Sequence, residues 1–169
     1  MIKLLPVLLA LPLAAALPSQ EEALALAFPG AVLTRREFVL TPAQAAQVKA
    51  LAQREAQAGA VAYEARRDGK LQGAGFFDTH RVRTQNETAL VAVGADGRIL
   101  RVEVVAFREP QEYLARPAWV RQFDHKGPEP PSLGREIKPL SGSTLTATAL
   151  TDAARRALAL YQVLYGGAR

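Results

Sequence analysis

Two Asp-Gly pairs constrain this chain more than any other feature. Asp68-Gly69 and Asp96-Gly97 each lie between runs rich in strand-forming residues, 61–65 before 71–77 and 89–93 before 99–107. A tight turn between two strands needs positive φ, which aspartate tolerates and glycine adopts freely, so each pair reads as the turn of a β-hairpin. Strands joined in this way run antiparallel, and a doubly wound parallel sheet is thereby excluded. The polar stretch 78–87 reads as the connection between the two hairpins. Gly73 and Gly75 interrupt the second strand, as at a bulge or where another group approaches closely.

Helices bracket these hairpins. Ser19 with Glu22, and Thr41-Pro42 with Gln44, are capping-box patterns that open helices reaching about Ala27 and about Ala58. Between them Pro29-Gly30 stops the first, and residues 31–40 carry Val32, Phe38 and Val39 in a strand-like pattern. Ala45, Val48, Leu51 and Ala52 recur at helical spacing, which predicts that the second helix packs on a flat surface such as a sheet. Beyond the second hairpin, residues 111–115 and 117–123 form short helical pieces punctuated by proline, and 124–139 read as a loop. The last helix, about 147–165, buries Ala149, Leu150, Ala153, Ala157, Leu158, Leu160 and Tyr161, exposes Arg155 and Arg156, and ends at Gly166. Antiparallel hairpins with helices against the sheet define an α+β single domain.

Composition narrows the function. The 169 residues include no cysteine, which removes disulfides, iron–sulfur clusters, c-type haem and thiol catalysis from this chain. Residues 1–16 read as a secretory signal, with Lys3 as its basic start, 4–13 as its apolar stretch and Ala14-Ala15-Ala16 as a cleavage site. The mature chain is then 17–169, exported to the periplasm or beyond the membrane; an uncleaved leader would instead anchor it. Loss of Lys3 leaves 20 basic residues against 16 acidic, scattered and without aromatic interleaving, so no nucleic-acid signature is present. His80 and His125 have no partner at metal-ligand spacing and receive no role, and no residue is assigned as catalytic.

The stretch Lys138-Pro139-Leu140-Ser141-Gly142-Ser143-Thr144-Leu145-Thr146 opens directly into the last helix. Small hydroxylated residues there are plain N-caps or a phosphate cradle, because a helix start offers unpaired N–H groups and the positive end of the macrodipole. Ser-Gly-Ser-Thr followed by Leu-Thr and a helix resembles the flavinylation motif of the FMN-binding domain family. That family includes the FMN-bearing subunits of the sodium-pumping NADH:quinone reductase and of the Rnf complex, and small exported flavoproteins. The resemblance runs over roughly 29–161 and takes in Val104, Val105, Arg108, Glu109 and Pro110, then Pro117, Trp119 and Phe123, and the Asp96-Gly97 hairpin.

The resemblance implies FMN joined by a phosphoester to Thr144, placed there by an FAD:protein FMN transferase. Ser141, Gly142 and Ser143 would cradle the phosphate, Glu109 and then Thr146 would be polar contacts of the ring, and Trp119, Phe123 and Tyr113 would be candidate walls. A flavin edge would then be one reason for Gly73 and Gly75. The function implied is electron transfer between a membrane donor and an extracytoplasmic acceptor. Lys138 stands where the family usually has an acid, six positions before the threonine, and Glu136 is the nearby acid that could substitute. A non-redox binding or structural module that lost flavinylation is the alternative.

Overall fold

The computed structural model describes residues 16–166. The predicted leader therefore lies almost wholly outside the described residues. Four helices and five strands follow in the order α1 (Gln20–Ala27), β1 (Val32–Val39), α2 (Pro42–Ala52), β2 (Gly59–Arg67), β3 (Lys70–Arg81), β4 (Asn86–Gly94), β5 (Ile99–Phe107), α3 (Pro117–Val120) and α4 (Thr144–Tyr165). The strands form one antiparallel sheet in the order β1-β2-β3-β4-β5. The fold is α+β, as the hairpins require. Among the described residues no helix is long and apolar enough to cross a membrane.

Both capping boxes form. The side chains of Ser19 and Thr41 accept from the backbone N–H of Glu22 and Gln44, whose own side chains return the bond to the cap N–H. Asp68 and Gly69 take φ values of 51° and 74°, so both central residues of the first hairpin turn are left-handed. The helix α2 ends sooner than the pattern suggested. Gln53 enters the left-handed region at φ 52° and breaks the helical path, leaving 53–58 as an irregular link to β2.

The connection predicted over 78–87 is also shorter. β3 continues to Arg81 and β4 begins at Asn86, leaving four residues to turn. Polar side chains occupy these strand ends because they bond one another across the sheet: Thr79 with Thr88 at 2.9 Å, and His80 with Glu87 at 2.9 Å.

The molecule stacks in four layers. Against one sheet face lies α4, burying Leu150, Ala153, Ala154, Ala157, Leu158 and Tyr161 on Ala74, Phe76, Ala89, Val91, Val93, Val102 and Val104. The other face receives α1 and Phe28, which meet Leu90, Ala65 and Ala92. Outermost is α2. Its apolar face packs on α4, through Val48 and Ala52 against Ala159 and Leu160, and not on the sheet as its pattern had suggested. Small alanines along α4 let it sit closely between two partners at once.

That double packing also corrects the reading of Arg155. It is buried, and its guanidinium donates to the carbonyls of Ala52 at 2.8 Å and Pro131 at 2.9 Å and to Gln53 Oε1 at 2.8 Å, so it fastens α2 and the long loop to α4. Arg156 is half-buried and bidentate to Asp78, at 2.6 and 2.7 Å.

The glycines of β3 have a steric cause. A Cβ on Gly73 would lie 2.1 Å from the Val93 carbonyl oxygen and 3.0 Å from the Phe28 ring, and one on Gly75 would lie 2.8 Å from a Leu24 methyl. A bulge does occur beside them: Ala65 pairs with Gly73 and Arg66 with Leu71, which leaves Gln72 as the extra residue on β3. Gly75 and the Phe28 side of Gly73 thus face α1 and its C-cap, which occupy the space a flavin edge was offered as filling.

Candidate functional site

The stretch before α4 is a β-turn, closed by the Ser143 N–H on the Leu140 carbonyl at 3.1 Å, with Gly142 at φ 79°. Positive φ at the third position is what glycine supplies in such a turn. Nothing lies within 4 Å of the direction a Gly142 side chain would take, so the turn opens onto solvent. Thr144 is the first residue of a 22-residue helix and is exposed, as are Ser141 and Gly142. No side chain caps that helix. Its first N–H groups therefore remain available to an anion beside the Thr144 hydroxyl, where the aligned peptide dipoles favour negative charge.

The remaining predicted residues divide by direction. Ser143 is buried and turns inward, its hydroxyl donating to the Glu112 carbonyl at 3.4 Å. Thr146 is fully buried, and its hydroxyl donates to the Tyr113 carbonyl at 2.8 Å. These two bonds stitch the short 3-10 turn Gln111–Tyr113 to the first turn of α4. The Thr146 hydroxyl thus serves the fold at this position. Ser141, Gly142 and Thr144 form the accessible part of the motif.

Glu109 likewise serves the fold. Its Oε1 accepts from the backbone N–H groups of Gln85 at 2.8 Å, Thr84 at 2.5 Å and Arg83 at 3.0 Å, which close the turn between β3 and β4. Those bonds, that of Gln85 foremost, hold its carboxyl below the ordinary glutamate range. β5 ends at Phe107, and Glu109, two residues beyond it, faces this turn.

Trp119 acts on the motif from behind. Its indole N–H donates to the Lys138 carbonyl at 2.9 Å, and the Lys138 N–H donates to Gln122 Oε1 at 2.9 Å. The ring packs edge-on against Phe123, centroids 5.6 Å apart, and Phe123 itself is core. Both bonds use the Lys138 backbone, so its exposed side chain is unconstrained by them. Glu136, the candidate substitute acid, accepts from the Ser132 N–H at 2.9 Å within its own loop. Tyr113 carries the Arg83 guanidinium over its ring at 4.7 Å from the centroid, a cation–π contact that the sequence did not disclose.

A second cluster also escaped the sequence reading. His80 Nδ1 lies 2.8 Å from Asp78 and Nε2 lies 2.9 Å from Glu87, while Arg156 grips Asp78 from α4. Burial works against charge on the imidazole, but bonds to two carboxylates outweigh it and raise the His80 pKa to about 9. The same balance holds Asp78 down at about 2, burial opposing and His80 and Arg156 prevailing. Glu87 is fully buried. The available signal was the i, i+2 placement of Asp78 and His80 on one strand face, once β3 is known to extend through them. Among the described residues no His, Asp and Glu group is arranged to hold a metal ion.

Residues 84–159 match the family model of the FMN-binding domain, spanning β4 to the middle of α4 and including the motif at 141–144. Over these residues the chain is similar to an FMN-binding domain. Among solved structures the chain is similar to NqrC of Shewanella oneidensis, with a TM-score of 0.53 and 19% identity over 69% of this chain and 64% of that one. That likeness concerns the fold, and the aligned part spans under two thirds of NqrC. No curated protein matches the chain. The exposed turn and uncapped helix start fit a flavin phosphate: they offer backbone donors, a left-handed glycine and one hydroxyl open to solvent.

Proposed function

We propose that this chain carries FMN through a phosphoester to Thr144 and serves as an exported electron carrier between a membrane donor and an extracytoplasmic acceptor. The carrying observation is the exposed Thr144 hydroxyl on the first turn of an uncapped 22-residue helix. A phosphodiester there keeps one negative charge, and the helix start stabilises it by roughly 0.3–1 kcal/mol at an exposed site. Gly142 shapes the turn, Ser141 adds a second open hydroxyl, and Trp119 with Gln122 fixes the approach through Lys138. FMN, once attached, supplies reversible electron uptake and release, and the protein supplies position and electrostatics.

The test is covalent labelling. Exported together with an FAD:protein FMN transferase, the protein is expected to be yellow, to fluoresce as a band in a denaturing gel, and to carry FMN less one water on the peptide containing Thr144. Thr144→Ala is expected to lose all three while shifting stability by no more than about 0.5 kcal/mol, as exposed substitutions do. Lys138→Asp is expected to fold normally, because only its backbone is bonded, and to label equally or better. A colourless wild type with an equally colourless Lys138→Asp variant, both folded, would instead establish the non-redox module.

A further inference from the structure

The sheet has two edges, and they are treated differently. At β5 the neighbouring segment covers the start of the strand, His125 N–H bonding the Ile99 carbonyl and Ile99 N–H the Lys126 carbonyl, both at 2.8 Å. At β1 the eight residues pair with β2 alone, and no other described residue bonds their backbone. Unpaired strand edges template association unless something blunts them. This one also presents apolar surface, with Val39 90% and Val32 71% exposed.

Alternation sorts the side chains of β1 into two sets. One face carries Leu33, Arg35, Glu37 and Val39, and the other Val32, Thr34, Arg36 and Phe38. Two copies meeting edge to edge about a two-fold axis pair residues whose numbers sum to a constant. That constant must be even, because the outward-facing backbone groups belong to every second residue. A sum of 70 sets Arg35 against Arg35, and 74 sets Glu37 against Glu37. A sum of 72 sets Arg35 opposite Glu37 twice and Leu33 opposite Val39 twice, so every pair on that face is complementary.

We propose that β1 is a homodimerisation edge, pairing antiparallel with β1 of a second copy about Arg36 to give a continuous ten-stranded sheet. Within one chain Arg35 already bonds Glu37, and the pairing extends these into a ladder of four alternating charges. Directly opposite charges on neighbouring strands attract, and like charges repel. The single like pair, Arg36 with its own counterpart, lies on the opposite face. Glu64, opposite Thr34 on β2, is a diagonal neighbour of Arg36 there, which offsets that repulsion. A heterologous contact would not close, whereas this isologous one leaves no free β1 edge.

Sedimentation equilibrium of the mature chain from about 1 to 500 µM is expected to show a reversible monomer–dimer transition. Arg35→Glu places like charges opposite each other at both pairs and is expected to weaken the dimer about tenfold or more. Arg35→Glu with Glu37→Arg restores both pairs in swapped order and is expected to bring dissociation back near the wild-type value. Val39→Lys, at a site too exposed to disturb folding, is expected to weaken it as well. Wild type that stays monomeric throughout this range overturns the proposal. So does a dimer that survives both Arg35→Glu and Val39→Lys, since its interface would then be elsewhere.

Discussion

At the scale of single residues, several buried hydrogen-bonding side chains are already engaged by the fold, Glu109, Ser143 and Thr146 among them. Glu109 and Thr146 are polar residues beside the motif, and sequence alone cannot tell whether such a group faces a ligand or the backbone that holds the turn. His80 shows the converse. It looked solitary because Asp78 shares its face only once β3 extends through both, and Glu87 meets it only once β3 and β4 pair. Its charge has a measurable signature. A pKa raised from 6.5 to about 9 means that the folded state holds the proton more tightly than the unfolded chain. The stabilisation is complete below pH 6.5 and is lost as pH rises toward 9. Asp78, depressed from 3.8 to about 2, acts with the opposite sign, giving stability above pH 3.8 that fades as pH falls toward 2. Urea midpoints of the wild type are therefore expected to decline between pH 6.5 and 9. In His80→Gln the midpoint is expected to be lower at pH 6 and that decline largely absent, and equal slopes in the two proteins would count against the cluster.

At the scale of elements, the local signals were the legible ones. Both capping boxes and both Asp-Gly turns follow from chemistry within a few residues, and these are in place. Partner choice was harder to read. The apolar stripe of α2 is the same whether a sheet or a helix lies beneath it, and it met α4. Gly73 and Gly75 marked a close approach, but the element approaching, α1 with Phe28, is about fifty residues earlier in the chain. The two glycines make separable predictions. Gly73→Ala drives a Cβ to 2.1 Å from a backbone oxygen that cannot move aside, at φ 153°, and is expected to cost more than about 3 kcal/mol. Gly75→Ala meets only the ends of Leu24 and Leu90, at 2.8 and 3.0 Å, which can shift, and about 1–3 kcal/mol is expected. Chemical denaturation of both variants decides the order, and a costlier Gly75→Ala would contradict this account of how α1 docks.

At the scale of the whole molecule, α4 joins site to scaffold. Its first residue is Thr144, its middle crosses the sheet and carries α2 on its back, and near its end the Tyr165 hydroxyl donates to Glu64 at 3.3 Å. The sequence revealed its amphipathic face but hid that nearly all of its circumference is covered, which is why Arg155 was read as solvated. A helix packed on one side can expose an arginine; one held between a sheet and a second helix must give it partners. Arg155→Met keeps the apolar stem and leaves the carbonyls of Ala52 and Pro131 without donors, for an expected loss of about 2–4 kcal/mol. Flavin labelling separates that global effect from a local one. In Arg155→Met the labelled fraction is expected to follow the folded fraction measured by circular dichroism, recovering at lower temperature, because the turn around Gly142 is intact whenever α4 is formed. In Thr144→Ala labelling is expected to be absent at every temperature while folding is unchanged. An Arg155→Met protein that is fully folded yet unlabelled would mean that the far side of α4 reaches the attachment site by a route other than stability.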